Sequence, residues 1–474
     1  MTEGDKEYFN NEEFKEILKQ YEESVKTGGR IYMDADDLAD IAAYYHFNNR
    51  EEEAEEAISL AMEYNPEALG PMLYKAKEAL EAKDFDTVEK YATKIEALDS
   101  LEAIYLHAEV LIQKNDVDKA DSALFEFYNN EVPAEERTDY IKDVVELYLE
   151  YHQFIKAFEW TIRIPGPQSD NFKELMARTL FGLGKYKDSE KLFNELLDKN
   201  PYSTSYWNAL AGIQYMKEDY NAALTSSEYA IAIDPNDADG LMSKANTLYT
   251  MGNYDEAFVY FKKYSEKRPD DEFGYLNQAQ CIINKGEFEE GLSLLKKAIS
   301  LAPVDSVYLP EIYQEMSFVY NKLGNVEKAL WCMDMMYELK CDHAAILVMR
   351  GHILLANKRE EEARKEFDKA LEVSNNDPKT QLKVIISYHD NMHLNHAYHL
   401  YLDFFKNVDK EWNEGYAYMA LCCNDLKKDD EFLYYLKKAC ECNPEEAKAV
   451  LCEFFPEDMT PKDYYDYALE HLND

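Results

Sequence analysis

No cysteine occurs in the first 280 residues of this 474-residue chain; all eight lie between Cys281 and Cys452. A disulfide-stapled secreted protein would not leave more than half its length unbridged, so a reducing, cytoplasmic setting is expected. Basic residues are scarce. Lys and Arg number 51 against 94 Asp and Glu, a formal charge of −43. That surplus repels phosphate backbones and anionic lipid, which argues against nucleic acid and membrane partners. It would attract a basic segment, with a strength that salt screens. A long, thin protein with a large solvated surface would carry the same charge. No apolar run is long enough to span a bilayer. The amino-terminal MTEGDKEYFN has neither the basic nor the apolar region of a signal peptide. Only 16 Gly and 14 Pro are present, so long flexible linkers are absent. The motifs GxxxxGKS/T, HExxH and GxSxG are missing, and carboxylates are too numerous to single out a catalytic pair. No enzyme activity and no cofactor are expected.

Aromatic residues are plentiful, with 38 Tyr and 22 Phe, which calls for many packed interfaces. Laid against itself, the chain repeats with a period near 34. Pro201, Pro235, Pro269 and Pro303 follow one another at that interval. Gly184, Gly252 and Gly286 share one place in the unit, and Tyr186, Tyr220, Tyr254 and Phe288 sit two residues after it. Two positions are reserved for small side chains: Ala177, Ala211, Ala245 and Ala279 at one, Ser189, Ala223, Ala257 and Gly291 at the other.

Each unit reads as two helices. From 238 to 271, Leu241, Ala245 and Leu248 recur on one side of a first helix, and MGN makes a turn in which Gly252 can adopt a left-handed conformation. Ala257, Phe261 and Tyr264 mark the second helix, which Pro269 ends. Facing small residues let the two helices pack closely, with Leu241 and Phe261 as larger knobs. The template extends in both directions to about twelve units. They group as 35–169 (units one to four), 170–309 (the regular units five to eight, ending in the insertion VDSVYLP) and 310–446 (units nine to twelve). A lead-in over 1–34 contains a capping helix with Phe14, Ile17, Leu18 and Tyr21 on its apolar face, and capping helices fill 447–474. The fourth unit is irregular, and its IPGPQS stretch predicts a kink or seam at Ile164–Ser169.

This pattern resembles the tetratricopeptide repeat family over about residues 35–446. In the unit 204–237, Trp207, Leu210, Ala211, Tyr220, Ala223, Ala230 and Pro235 fit the family pattern, whereas Glu218 stands where glycine is usual. The resemblance implies an all-α fold, an alpha-alpha superhelix or solenoid of helix-turn-helix repeats. Its concave face, lined mainly by first helices, would bind a protein or peptide segment, so the expected function is a non-enzymatic adaptor or scaffold. Carried onto this chain, the groove positions are Asn208, Tyr215, Met242, Asn246, Tyr249, Phe273, Leu276, Gln280, Gln314 and Phe318. Their rings and amides could hold a peptide by stacking and backbone hydrogen bonds, though ordinary solvated helix residues would look the same. Nearer the amino end the same positions read Asp36, Glu102, Glu109, Asp139 and Glu146, an acidic section that could receive a basic segment. The subtype that clamps acidic chaperone tails is not expected, because Asp239 and Met242 stand where it needs lysines.

The alternative is a self-associating structural component, monomer or weak dimer in solution, using Tyr464 and Tyr467 of the carboxyl cap. Three further features read as structural. Trp207 is expected to be a core knob. The set His389, His393, His396 and His399 reads as a wet turn rather than a metal site, because the turn splits it. Cys422, Cys423, Cys440 and Cys442 lie inside predicted helices, where they would pack as small hydrophobes rather than present a metal knuckle.

Overall fold

A computed structural model of the chain describes residues 8–9, 11–27, 33–48, 50–98, 101–166, 169–304, 306–339, 341–456 and 459–471. Among them are twenty-seven α-helices, one short 3-10 turn and no strand. The chain divides into two units, Met1–Met251 and Gly252–Asp474. The amino-terminal unit contains α1 (Glu12–Thr27), α2 (Ala35–Phe47), α3 (Glu51–Tyr64), α4 (Leu69–Glu81), α5 (Phe85–Glu96), α6 (Glu102–Gln113), α7 (Val117–Asn130), α8 (Arg137–Glu150), α9 (Phe154–Thr161), α10 (Asp170–Gly182), α11 (Tyr186–Leu197), α12 (Thr204–Met216), α13 (Tyr220–Ile233) and α14 (Ala238–Thr250). The carboxyl-terminal unit contains α15 (Tyr254–Lys267), α16 (Glu272–Asn284), α17 (Phe288–Leu301), α18 (Leu309–Lys322), α19 (Val326–Tyr337), α20 (His343–Ala356), α21 (Glu360–Val373), α22 (Pro378–Asp390), α23 (Leu394–Asn407), α24 (Tyr416–Asp425), α25 (Asp429–Cys442), α26 (Pro444–Leu451) and α27 (Pro461–His471). Within each unit, neighbouring helices pair as antiparallel hairpins and successive hairpins stack. The seam expected at Ile164–Ser169 includes residues 167–168, which lie outside the described residues, as do Asp305 of the insertion, Ser100 at the end of the second repeat and Leu472 at the expected end of α27.

Local chemistry sets both ends of the first helices. Asp34, Ser169, Ser203, Asp237, Asp271, Asp342 and Asp377 each accept a backbone N–H of the first turn, satisfying a donor that the helix cannot. The hairpin turn needs one residue in the left-handed region, followed by an N–H that reaches back five residues. Gly184, Gly286 and Gly324 fill that place, with φ between 71° and 84°. Lys83, Asn115, His152, Glu218, Lys358, Met392 and Lys427 adopt it without being glycine, with φ between 54° and 64°. Asp84 N–H donates to Ala79 O, Asp219 N–H to Gln214 O and Asn325 N–H to Tyr320 O. The fold therefore holds the turn even where glycine is lacking.

The small-residue positions lie where two helices touch. Ala177, Ser189, Ala223, Ala245, Ala257 and Ala279 are all fully buried. The approach is close enough for Ser189 Oγ to donate to Ala177 O at 2.7 Å, and for Ser317 Oγ to donate to Ala329 O at 2.8 Å. Around these points pack the larger apolar residues of each unit's clusters, such as Val144, Tyr148 and Trp160 in one and Leu295, Ile312 and Phe367 in the other. At the amino end, α1 lays Phe14 and Tyr21 on Leu38, Ile41 and Tyr45. At the carboxyl end, α27 closes onto Phe455.

Two helix glycines should respond in opposite ways to a methyl group. A Cβ at Gly351 of α20 would sit 2.3 Å from the Phe367 ring, whereas one at Gly212 of α12 meets nothing within 4 Å. Gly212→Ala should stabilise by about 0.5–1 kcal/mol, the helix propensity difference. Gly351→Ala should destabilise by about 1–3 kcal/mol through overpacking. Thermal unfolding of both variants checks this, and equal shifts of one sign would contradict the close packing at Gly351.

Candidate protein-binding surface

Within each unit, first helices of successive hairpins lie side by side, so a stripe on each forms part of that unit's wall. On α6, Glu102, Tyr105, Glu109 and Gln113 recur at spacings of three and four and share a face. On α8, Asp139, Asp143, Glu146 and Glu150 do the same. The two stripes are joined at one point, where Tyr105 OH donates to Asp143 Oδ2 at 3.0 Å. Gln113 Nε2 donates to Tyr151 OH at 3.3 Å just beyond the other end, and its own Oε1 is buried without a partner. Glu146 reaches Arg178 of α10 at 3.6 Å, and Asp139 pairs with Lys142 at 2.7 Å.

Glu109 differs from these. It is half-buried on the α6 stripe and makes no hydrogen bond or ion pair among the described residues. Burial lifts its carboxyl to about 7; Lys77 of α4 opposes the rise, while Glu150 and Glu102 add to it. Burial also raises Glu102 and Asp143 above the usual carboxylate range. Tyr151 is pushed up to about 12 by burial, with Glu109 the first charge contributing. This stretch holds negative charge at a cost, which is the condition under which a cation is most strongly attracted. Asp36, the first of the expected acidic positions, is already engaged: its Oδ1 accepts Gly70 N–H at 2.7 Å.

Further along the amino-terminal unit the wall turns neutral. Asn208, Tyr215, Met242, Asn246 and Tyr249 are all half-buried. Asn208 Nδ2 donates to Asp237 Oδ2 at 2.6 Å, which leaves its Oδ1 without a partner. Tyr215 OH lies 2.9 Å from Thr250 Oγ1, and its ring meets Tyr220 edge-on.

In the carboxyl-terminal unit the expected positions separate. Phe273 packs edge-on against Phe261 and Tyr264 and tilts onto Tyr308. Gln280 Nε2 donates to Glu311 Oε1 at 2.8 Å. Gln314 is exposed. Phe318 is 43 % exposed, with Lys322 Nζ 5.3 Å from its ring centroid. Leu276 is not on the open wall: it is 1 % exposed and belongs to the apolar core. It lies three residues before Ala279 and so shares the side that meets the neighbouring helix.

Other readings also change. Trp207 is no core knob. It is half-buried, its ring stacks on Tyr229 at 4.5 Å, and its Nε1–H donates to Pro201 O. The fully buried tryptophan is Trp160, whose Nε1–H donates to Asp121 Oδ1 at 2.7 Å; Tyr148 OH and Lys156 Nζ share that carboxylate. Tyr464 is 1 % exposed and stacks on Phe455 at 3.8 Å, so it is not available for self-association.

His389 is buried and hydrogen-bonded to Asp425 at 2.9 Å. Burial lowers its pKa, but Asp390 and Asp425 outweigh that and raise it. His393 and His396 instead surround the Tyr388 ring. Cys422 and Cys423 are buried free thiols that burial pushes up to about 12. Among the described residues no group of three or more His, Cys, Asp or Glu is placed to hold a metal ion. No helix among them is long and apolar enough to cross a membrane.

Family models described as tetratricopeptide repeat match residues 175–238, 238–271 and 344–377. The chain is a tetratricopeptide-repeat protein. Its fold is that of a protein-interaction scaffold. Among solved structures, yeast Tom70 is similar at 15 % identity and a TM-score of 0.44, covering 93 % of this chain and 97 % of that one. A tetratricopeptide-repeat protein titled as having an unusual peptide-binding site, YrrB, is similar at 18 % identity and a TM-score of 0.32, covering 38 % and 91 %. MamA from Desulfovibrio magneticus RS-1 is similar at 15 % identity and a TM-score of 0.34, covering 36 % and 94 %. No curated protein matches the chain.

The cost of Glu109 can be measured in this repeat protein. Its carboxyl has an ordinary value of 4.5 and stands at about 7 when folded. Between those values the folded state holds a proton that the unfolded state has lost, so stability falls as pH rises through the window and stays reduced above it. Glu109→Gln should therefore raise stability at pH values above 7, by about 1–2 kcal/mol for a partly solvated group. Below pH 4.5 it should have little effect. Thermal melts across that range check the sign, and a variant less stable at high pH would refute it.

Proposed function

We propose that this protein is a cytoplasmic adaptor whose first-helix wall binds segments of other proteins, and that the acidic stretch of the amino-terminal unit receives a basic segment. The observation that carries the basic partner is Glu109, a half-buried carboxylate that makes no hydrogen bond or ion pair among the described residues and feels the charges of Glu102 and Glu150. A lysine or arginine side chain laid against α6 and α8 would supply the missing charge, and Tyr105 and Tyr151 would offer ring surface to its stem. The eight free cysteines fit a reducing compartment.

The neutral stretch of the same unit, with Asn208, Tyr215, Met242, Asn246 and Tyr249, is the proposed continuation of that surface. In the carboxyl-terminal unit the proposed contacts are Phe273, Gln280, Gln314 and Phe318. There an exposed phenylalanine beside Lys322 offers stacking and one cation.

The test is titration of the intact chain with fluorescent peptides of opposite charge. An arginine-rich peptide should bind and weaken steeply with added salt, while an acidic peptide of the same length should not bind. Replacing Glu102, Glu109 and Glu150 by Gln together should weaken the arginine peptide about tenfold or more, the equivalent of about 1.4 kcal/mol. Far-ultraviolet dichroism of the triple variant should stay unchanged. Equal binding of both peptides, or undiminished binding by the folded triple variant, would refute the basic-partner reading.

A further inference from the structure

In the carboxyl-terminal unit, one polar cluster on the first helices plays no part in the contacts proposed above. His389 is the twelfth residue of α22, as Tyr249 is the twelfth of α14, so it takes a wall position of its repeat. It is only 6 % exposed, and Asp425 at the end of α24 holds its Nε2 at 2.9 Å. Its Nδ1 is buried and makes no hydrogen bond among the described residues. Asp390 Oδ1 stands 3.7 Å from that nitrogen, too far for a direct hydrogen bond. The Asp390 side chain is half exposed, so the gap between the two groups opens to solvent on that side.

Neighbouring helices make the surroundings polar. The charge of Asp390 acts on His352 of α20, on Tyr401 of α23 and on Tyr418 of α24. His352 Nδ1 lies 3.4 Å from Asn391 Nδ2. Tyr401 is wholly buried, and its OH, like His389 Nδ1, makes no hydrogen bond among the described residues. Buried polar atoms in this condition are rare in native proteins, because each has given up its bonds to water without replacement. Two of them under the field of one half-exposed carboxylate point to an occupant.

The imidazole decides which occupant fits. A charged His389 presents Nδ1–H and needs an acceptor, while Asp390 beside it needs a donor. A neutral His389 that donates Nε2–H to Asp425 presents a lone pair at Nδ1, so both groups need donors. An ammonium suits only the neutral state, and Asp390 repels a carboxylate in both. A primary carboxamide suits either state. Its C=O and one N–H can bridge a donor and an acceptor, and its two N–H groups can serve two acceptors.

We propose that the gap between His389 and Asp390 is a recognition site for a primary carboxamide, the side chain of an asparagine or glutamine in a segment bound along the first-helix wall of the carboxyl-terminal unit. His389 Nδ1 and Asp390 Oδ1 take the two ends of the amide, and Asp425 fixes the imidazole from its other nitrogen. The site is separate from the acidic stretch of the amino-terminal unit and stands or falls without the basic-partner reading. Because the occupant is neutral, its binding should not depend on the chain's net charge, and salt should leave it unchanged.

The experiment follows the histidine ring signals of the intact chain by nuclear magnetic resonance, with N-acetylglutamine methylamide as the probe. The His389 signal is identified by its displacement in Asp425→Asn. Addition of the probe should move that signal in a saturable way, with the same affinity in low and high salt. N-acetylnorleucine methylamide, which has the length without the amide, and N-acetylserine methylamide, which has a hydroxyl instead, should not move it. Asp390→Ala, at an exposed position, should weaken the glutamine probe about tenfold by removing one end of the bridge. Glu372→Gln, an exposed acid of α21, should leave the affinity unchanged. The absence of a saturable shift at His389, equal shifts from the serine or norleucine probe, affinity that falls with salt, or full affinity in Asp390→Ala would each overturn the proposal.

Discussion

Two helices can stack in this chain only where both give up their side chains. At each hairpin the contact passes through a pair of small residues, and the hydroxyl of Ser189 donating to Ala177 O measures how close the backbones come. The side chains between them are no larger than a methyl or the hydroxymethyl of serine, and at Gly351 not even a methyl fits, because Phe367 fills the space. This spacing fixes the rotation of each first helix about its axis. That rotation decides which stripe faces the neighbouring helix and which stripe is left over. The surface available for binding is therefore a remainder: what the close approach does not use.

Within that remainder the wall residues mostly bond to one another across repeats. Gly70 N–H is bound by Asp36, Tyr105 donates to Asp143, Asn208 to Asp237, and Gln280 to Glu311. Each bond links one first helix to the next at a sequence distance near the repeat length, apart from the shorter Asn208 link. Such bonds satisfy polar groups that face neither bulk water nor the core. They also set a threshold, since a ligand that displaces one must replace it. Net gain in a single hydrogen bond is about 1 kcal/mol, so exchanging one for another changes little.

The repeat was readable in the sequence because small residues and turns leave a fixed spacing, and spacing does not depend on knowing what each side chain touches. The left-handed turns at Glu218, Lys358 and Met392 were harder to see, since the residue type gives no sign of them. There the hairpin imposes the conformation that glycine would have favoured. Which side chains stay open was less legible still. Leu276 and Gln280 are four apart and were assigned to one wall, yet a small rotation buries the first and leaves the second accessible. Trp207 looked like core because of its size, but its neighbour Tyr229 lies far enough out for both rings to stack near the surface. Tyr464 looked exposed because it lies near the end of the chain, and Phe455 covers it. Each of these depends on a contact outside the repeat period, which self-comparison of the sequence cannot reveal.

The acidic stretch was readable as charge but not as tension. A formal charge of −43 spreads over a large surface, and most of those carboxylates are either solvated or paired with a lysine three or four residues away. Paired or solvated carboxylates gain little from a new cation, because its arrival breaks an existing arrangement. Glu109 stands apart, since it is half-buried and makes no hydrogen bond or ion pair among the described residues. The folded state carries the charge of Glu109 at a cost. A site that costs stability in the free protein and recovers it on occupancy is what selection for binding, rather than for packing, would leave behind.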